Sequence, residues 1–152
     1  MAFTFAEGGV CAAKGFLAGA VHCGIRKNRT KKDLALIYSK TPCAAAAVYT
    51  QNKVKGAPLE VTKLHLSDGT AHAVLCNSGN ANTCNADGVL IATEMCASAA
   101  AALGIDAQDI IIASTGVIGQ PLPLEPITRA MPALVASLSE SGSNDAAEAI
   151  MT

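Results

Sequence analysis

The 152-residue sequence predicts a single α/β domain over residues 1–152, on three observations. Through the second half, short β-prone runs alternate with helically spaced ones, in the order strand, loop, helix, strand, loop, helix. The two loops that leave successive strands are rich in Gly, Asn, Ser and Thr. The composition is 51% hydrophobic yet only 3% aromatic and without Trp, so the core must be built from Ala, Val, Leu and Ile, whose small side chains allow layers to approach closely.

Along the chain, the first strand read from the sequence is DLALIY, Asp33 to Tyr38, followed after a Thr41-Pro42 turn by a second, AAAAVYT, Ala44 to Thr50. In GAPLEVTKLHL, Pro58 stands where a first helical residue fits and Leu59, Lys63 and Leu66 share a face; a short helix is expected, although Val61 and Thr62 also suit a strand. HAVLC, His72 to Cys76, reads as a strand, and NSGNANTCNADG, Asn77 to Gly88, as an Asn-rich loop. From Asp87 to Leu103 the apolar positions recur with helical spacing, and Gly104 stands at the C-cap. DIIIA, Asp109 to Ala113, is the next strand, and a helix runs from Pro126 to about Leu138, with Pro132 expected to distort its first turns. The tail SESGSNDAAEA gives a surface turn leading into another short helix.

A formal net charge of −1 offers no long-range field for nucleic acid or an anionic membrane, so neither partner is expected. The run RKNRTKK, Arg26 to Lys32, is basic but has no stacking aromatics nearby, and is expected to be a solvated hairpin tip. The opening MAFTFAEGG lacks a basic region followed by an apolar run, so no signal peptide is read and a cytoplasmic location is expected. There the six cysteines (Cys11, Cys23, Cys43, Cys76, Cys84, Cys96) stay reduced, and they are expected to pack as small buried hydrophobes. Their irregular spacing, without Cys-x-x-Cys or a companion His, predicts no metal site. His22 and Cys23 are neighbours whose side chains would point to opposite faces of a strand, and His65 and His72 have no partner that sequence can place; all three histidines are read as structural or exposed.

Two loops can carry chemistry. ASTGVIGQPLP stops an apolar strand on Ser114, Thr115 and Gly116. At the carboxyl end of a strand, a Gly116 N–H and a Thr115 hydroxyl could aim at one oxygen, the usual device for stabilising an acyl-transfer oxyanion. CNSGNAN, Cys76 to Asn82, places the amides of Asn77, Asn80 and Asn82 at the end of the other strand. The same residues are ordinary makers of turns and caps, and residue chemistry alone leaves both readings open, the turn reading being the commoner. Phosphate-binding loops, a dinucleotide fingerprint, a Gly-x-Ser-x-Gly elbow and His-Glu-x-x-His are all absent, so an oxyanion site is present without an obvious nucleophile.

Taken together, AKGFLAGAVHCGI (Ala13 to Ile25), DLALIYS (Asp33 to Ser39), AAAVYTQNKVKGAP (Ala45 to Pro58), CNSGNANTC (Cys76 to Cys84), ASTGVIGQPLP (Ala113 to Pro123) and AAEAIMT (Ala146 to Thr152) resemble the ornithine acetyltransferase family, the bifunctional glutamate N-acetyltransferases of arginine biosynthesis. The resemblance runs in the family's order from about Lys14 onward.

It implies a layered αββα sandwich and a precursor that cleaves itself before a threonine, giving an α chain and a β chain that stay associated. The β chain's N-terminal threonine is then the nucleophile, and acetyl passes from N-acetylornithine through that threonine to glutamate. On this resemblance Thr115 and Gly116 are the oxyanion-hole pair, and Thr152 is a substrate-binding threonine. No resident cofactor or metal is implied, acetyl-CoA is left open as a further donor, and a heterotetramer of two α and two β chains is expected. The family's Lys-Gly-x-Gly-Met and Asn-Met-Ala-Thr segments do not occur, so the chain is expected to be part of an α chain lacking its C-terminal end. Two other readings stand beside this one: a subunit of a self-processing amidohydrolase that delivers the acyl group to water, and a non-catalytic domain holding a small polar metabolite.

Overall fold

A computed structural model describes residues 3–27 and 30–151. Four strands, β1 (Phe16–Val21), β2 (Leu34–Ala44), β3 (Thr70–Asn77) and β4 (Ile110–Ser114), form one sheet in the order β1-β2-β3-β4. The helices are α1 (Ala57–His65), α2 (Gly88–Leu103), α3 (Leu124–Ala136) and α4 (Ser143–Ile150). β1, β2 and β3 pair antiparallel, whereas β4 lies parallel to β3 from Ala73↔Ile110 to Asn77↔Ser114, with α2 as the crossover.

Alternation along the strands divides the apolar residues between two faces. Leu34, Leu36, Ala73, Leu75, Ile110 and Ile112 point to one face and form the main core with α1, α2 and α3. Each fully buried Leu or Ile there contributes about 1.5–3 kcal/mol. On α2 the buried residues Gly88, Ala92, Met95, Cys96, Ala99 and Ala100 recur every three or four positions, and their small size brings the helix close to its neighbours. The other face is also apolar: Ala18, Ala20 and Ala35 pack on Ala146 and Ala149 of α4. Beside α4 an open groove of about 410 Å³ is lined by Ile37, Val74, Cys76, Ala113 and Ile150, among others. The described residues thus supply one sheet of the layered fold, with α1, α2 and α3 on one face and α4 on part of the other.

β4 is an edge strand, and α1 covers its outer rim. The Thr62 hydroxyl donates to the Ile112 carbonyl (2.9 Å) and accepts from the Ile112 N–H (3.2 Å), and His65 Nδ1 lies 2.7 Å from the Ile110 carbonyl oxygen. α1 buries Pro58, Val61, Thr62 and His65 rather than the Leu59, Lys63, Leu66 face expected from the sequence, because it must satisfy this edge as well as the core.

Three other expectations change. Thr41-Pro42 is not a turn between two strands: β2 continues through it to Ala44, and pairing passes from Tyr38↔Ala73 to Cys43↔Ala71 across an irregularity. The Pro42 nitrogen cannot donate to a ladder, and a bulge tolerates that loss. Ala45 to Thr50 is not a strand but largely exposed coil, its Val48 fully exposed; among the described residues no strand lies beside it to draw out its β-propensity. α3 begins two residues before Pro126, which sits in the first turn where no N–H is needed, and Pro132 is carried on the exposed side of a continuous helix.

All six cysteines are free, but only Cys23 and Cys96 are buried and Cys84 is exposed, which corrects the expectation that all pack as buried hydrophobes. Burial pushes the Cys23 and Cys96 thiols up to about 12 and Cys76 to about 11, with the Asp33 charge adding to the effect on Cys23. No helix among the described residues is long and apolar enough to cross a membrane.

Thr62→Val should destabilise the protein by about 1–3 kcal/mol, because two buried main-chain groups lose their partner; the denaturant midpoint measures this. Alkylation at pH 8 followed by peptide mass mapping should label Cys84 before Cys23, Cys76 and Cys96, since exposure and thiolate content together set the rate.

Candidate active site

Because β3 and β4 run parallel and in register, the loops that follow Asn77 and Ser114 leave the same edge of the sheet. Their pairing continues past the strands. The Thr115 N–H donates to the Asn77 carbonyl (3.0 Å), Val117 N–H to Gly79 (3.3 Å) and Ala81 N–H to Val117 (2.9 Å). Residues 77–82 and 114–121 therefore form one body.

The asparagines are its internal struts. Asn77 is fully buried, accepting from the Ser114 hydroxyl (2.6 Å) and donating to the Asn80 carbonyl (2.9 Å). Asn80 Nδ2 donates to the Gln120 carbonyl (2.9 Å) and its Oδ1 accepts from the Asn82 N–H (2.8 Å). Asn82 Nδ2 donates to the Gly88 carbonyl at the start of α2 (2.8 Å), and its own carbonyl receives the Ala57 N–H at the start of α1 (3.0 Å). Asn82 sits at φ 46, a left-handed conformation that Asn tolerates better than most residues. Of the two readings of CNSGNAN, these amides follow the structural one.

Gly116 has φ 134, and an added Cβ would lie 2.4 Å from the Gly79 carbonyl carbon and 2.5 Å from the Asn80 nitrogen. Only a glycine lets the two loops touch main chain to main chain here. Thr115, Gly116 and Val117 then form one wall of an open cavity of about 450 Å³, with Gly79 and Arg26 as the rest of its lining. Among the described residues neither the Gly116 N–H nor the Thr115 hydroxyl has a hydrogen-bond partner. Ser114, by contrast, is committed to Asn77.

Arg26 is the residue the sequence did not disclose. Rather than forming a solvated hairpin tip with the rest of the basic run, it is half-buried and its Nε donates to the Ser78 hydroxyl (2.8 Å). Beneath it the fully buried Asp33 carboxylate accepts main-chain N–H groups from Cys23 (2.6 Å), Gly24 (3.1 Å) and Arg26 (2.9 Å). The run of charges carried no signal of this, because what singles out Arg26 is a contact with a residue fifty-two positions away. Of the remaining candidates, His22 Nδ1 lies 2.8 Å from the Lys31 carbonyl oxygen and 3.5 Å from Asp33. His65 serves β4 as described, and the His72 ring lies against Tyr38 at 5.8 Å between centroids. Thr152 lies outside the described residues, as do positions 28 and 29 of the basic run. Among the described residues no group of His, Cys, Asp and Glu side chains is placed to hold a metal ion.

Fold and site define a layered α/β domain whose strand-end turn lines an open cavity together with Gly79 and Arg26. The sequence pattern of the ArgJ family matches residues 17–152, and the chain belongs to that family. It is 49% identical over 147 residues to the arginine biosynthesis bifunctional protein ArgJ of Symbiobacterium thermophilum, covering 95% of this chain and 37% of that protein. It is also 49% identical over 152 residues to the protein of the same name from Gloeobacter violaceus, covering 99% of this chain and again 37% of the relative. The chain thus spans little more than a third of the length of these relatives. Among solved structures, ArgJ from Bacillus halodurans superposes with a TM-score of 0.88 at 38% identity, covering 95% of this chain and 76% of that one. Ornithine acetyltransferase from Mycobacterium tuberculosis, complexed with ornithine, superposes with a TM-score of 0.89 at 36% identity, covering 95% and 79%. The α/β fold read from the sequence is the fold of these proteins.

Gly116→Ala should separate the two loops, since the added carbon can be housed only by moving main chain. Its expected signature is faster amide hydrogen exchange at Val117 and Ala81, whose bonds tie the loops, together with a lower denaturant midpoint.

Proposed function

We propose that this chain is the α-chain portion of a glutamate N-acetyltransferase, and that Thr115 and Gly116 are its oxyanion hole. The observation that carries the reading is that Thr115 and Gly116, whose hydroxyl and N–H are unpaired among the described residues, line one cavity at the carboxyl end of β4. Membership of the ArgJ family supports it, as does the likeness to an ornithine acetyltransferase.

In this reading the hydroxyl of a threonine at the start of a companion β chain adds to the acetyl carbonyl of N-acetylornithine, and the threonine's own amine takes the proton. Negative charge collects on the former carbonyl oxygen, where the Gly116 N–H and the Thr115 hydroxyl stabilise it. Collapse breaks the carbon–nitrogen bond, the proton passes to the departing ornithine amine, and an acetyl-threonine ester remains. The glutamate amine then attacks that ester, the oxyanion forms and collapses a second time, and N-acetylglutamate leaves as the threonine hydroxyl is restored. The oxyanion hole serves both steps, so it accelerates transfer in either direction. Thr152 is proposed as a further substrate contact, and the working assembly as two α and two β chains without a resident cofactor or metal, acetyl-CoA remaining open as a second donor.

The test uses the full-length protein with its β chain, following acetyl transfer from N-acetylornithine to glutamate. Thr115→Ala should lower kcat by about 10²–10³-fold, the effect of removing one oxyanion donor. Unchanged turnover would remove Thr115 from the mechanism, and hydrolysis outrunning transfer in the presence of glutamate would favour an amidohydrolase.

A further inference from the structure

We propose that Arg26 is a positioning residue for the Thr115–Gly116 turn and the fixed cation of its cavity, holding the turn's backing loop in place and favouring negative charge in front of it. The inference rests on the oxyanion-hole reading above and adds to it a residue and an electrostatic role.

The positioning follows from the contacts. Gly79 stands between Arg26 and Gly116: an added Cβ at Gly79 would meet Arg26 Cγ at 3.0 Å, and one at Gly116 would meet the Gly79 main chain. The side chain of Arg26 thus backs the peptide that backs the turn. Its Nε–H fixes the Ser78 hydroxyl, which in turn donates to the Ala149 carbonyl in α4. Its main chain is held by Asp33, whose own carbonyl takes the Ser78 N–H (2.9 Å). Arg26 therefore cannot shift without moving Ser78 and Gly79.

The charge follows from what Arg26 lacks. Lys32, Lys40 and Arg129 are paired with Asp145, Glu140 and Glu125, whereas among the described residues no carboxylate pairs with the Arg26 guanidinium, and its Nη2 is buried without a hydrogen-bond partner. Asp33, the nearby carboxylate, accepts from three main-chain N–H groups and lies 3.5 Å from His22 Nδ1, and it forms no ion pair with the guanidinium. Arginine is the side chain that keeps its charge at any working pH, so a residue of this type lining the cavity without a carboxylate partner sets a fixed positive charge beside whatever the cavity receives. Charge of that sign and permanence favours an oxyanion over the neutral carbonyl that precedes it.

The experiment compares full-length wild type, Arg26→Met and Arg26→Lys, each first checked for self-cleavage and thermal midpoint. Arg26→Met is expected to lower kcat about 10- to 100-fold, less than the loss of a direct donor, with KM within about threefold of wild type. Arg26→Lys, which keeps the charge, should recover most of that loss. A kcat within about twofold of wild type in Arg26→Met, a loss confined to KM, or an Arg26→Lys variant as slow as Arg26→Met would each overturn the proposal. Calorimetric titration with methylphosphonate, a tetrahedral oxyanion, gives an answer that needs no turnover. Binding should weaken about tenfold in Arg26→Met and persist in Arg26→Lys, a difference of about 1.4 kcal/mol; equal affinity in all three proteins, or no binding by wild type, would overturn it. Should wild type bind methylphosphonate yet transfer no acetyl group, the proposed function fails while Arg26 is still decided by the binding results.

Discussion

The parallel pairing of β3 with β4 is the constraint from which the candidate site follows. Antiparallel neighbours would send their following loops to opposite edges of the sheet; the parallel pair sends both to one edge, where Asn77 stands opposite Ser114. The buried Asn77 amide then ties both strand ends to the loop that follows β3. A buried amide is expensive unless its bonds are made, and here both its oxygen and its nitrogen are engaged, so the pair of loops is held to one geometry. The same parallel arrangement requires a crossover, and α2 supplies it with a face of small residues that settles directly on the sheet.

From that junction outward, the site is built mainly of backbone. Gly116 and Gly79 meet without side chains between them, and the turn's donors are a peptide N–H and one hydroxyl. Main-chain dipoles fixed in this way cannot swing to follow a ligand, so in the oxyanion-hole reading little reorganisation would be needed when charge develops. The supporting shell has the same character. Asp33 organises the β1–β2 connection through three N–H groups, and Asn82 links the starts of α1 and α2. Polar residues are buried in this region because each satisfies main chain that would otherwise be stranded.

Much of this was legible in the sequence, and the parts that were not share a cause. β3, α2, β4 and the turn at Thr115–Gly116 are each announced by local pattern: apolar runs, helical spacing ending at Gly104, and a strand running into Ser, Thr and Gly. The course of β2 through Pro42 was hidden because a bulge and a turn use the same residues, and only the partner strand decides between them. Ala45 to Thr50 has strand-like composition but, among the described residues, no strand pairs with it. Arg26 was lost in a run of charges because its distinction is a long-range contact with Ser78. Local chemistry was readable from local sequence, and what depended on a distant neighbour was not.

The titratable groups separate along the same line. The perturbed thiols, Cys23, Cys76 and Cys96, are shifted chiefly by burial and so are made inert, and none of them lines the cavity at Thr115. The cavity's described lining is a threonine, two glycines, a valine and an arginine, with no His, Cys, Asp or Glu side chain. Such a wall can bind, orient and stabilise charge, but it cannot serve as general acid or base. In the acyl transfer proposed above, the proton transfers would come from groups outside this wall, and a threonine carrying its own free amine would meet that requirement without any titratable side chain from this wall. Such a division would be physically economical: fixed dipoles and a fixed cation would keep their effect across pH, while the group that moves protons would be free to have its pKa set elsewhere.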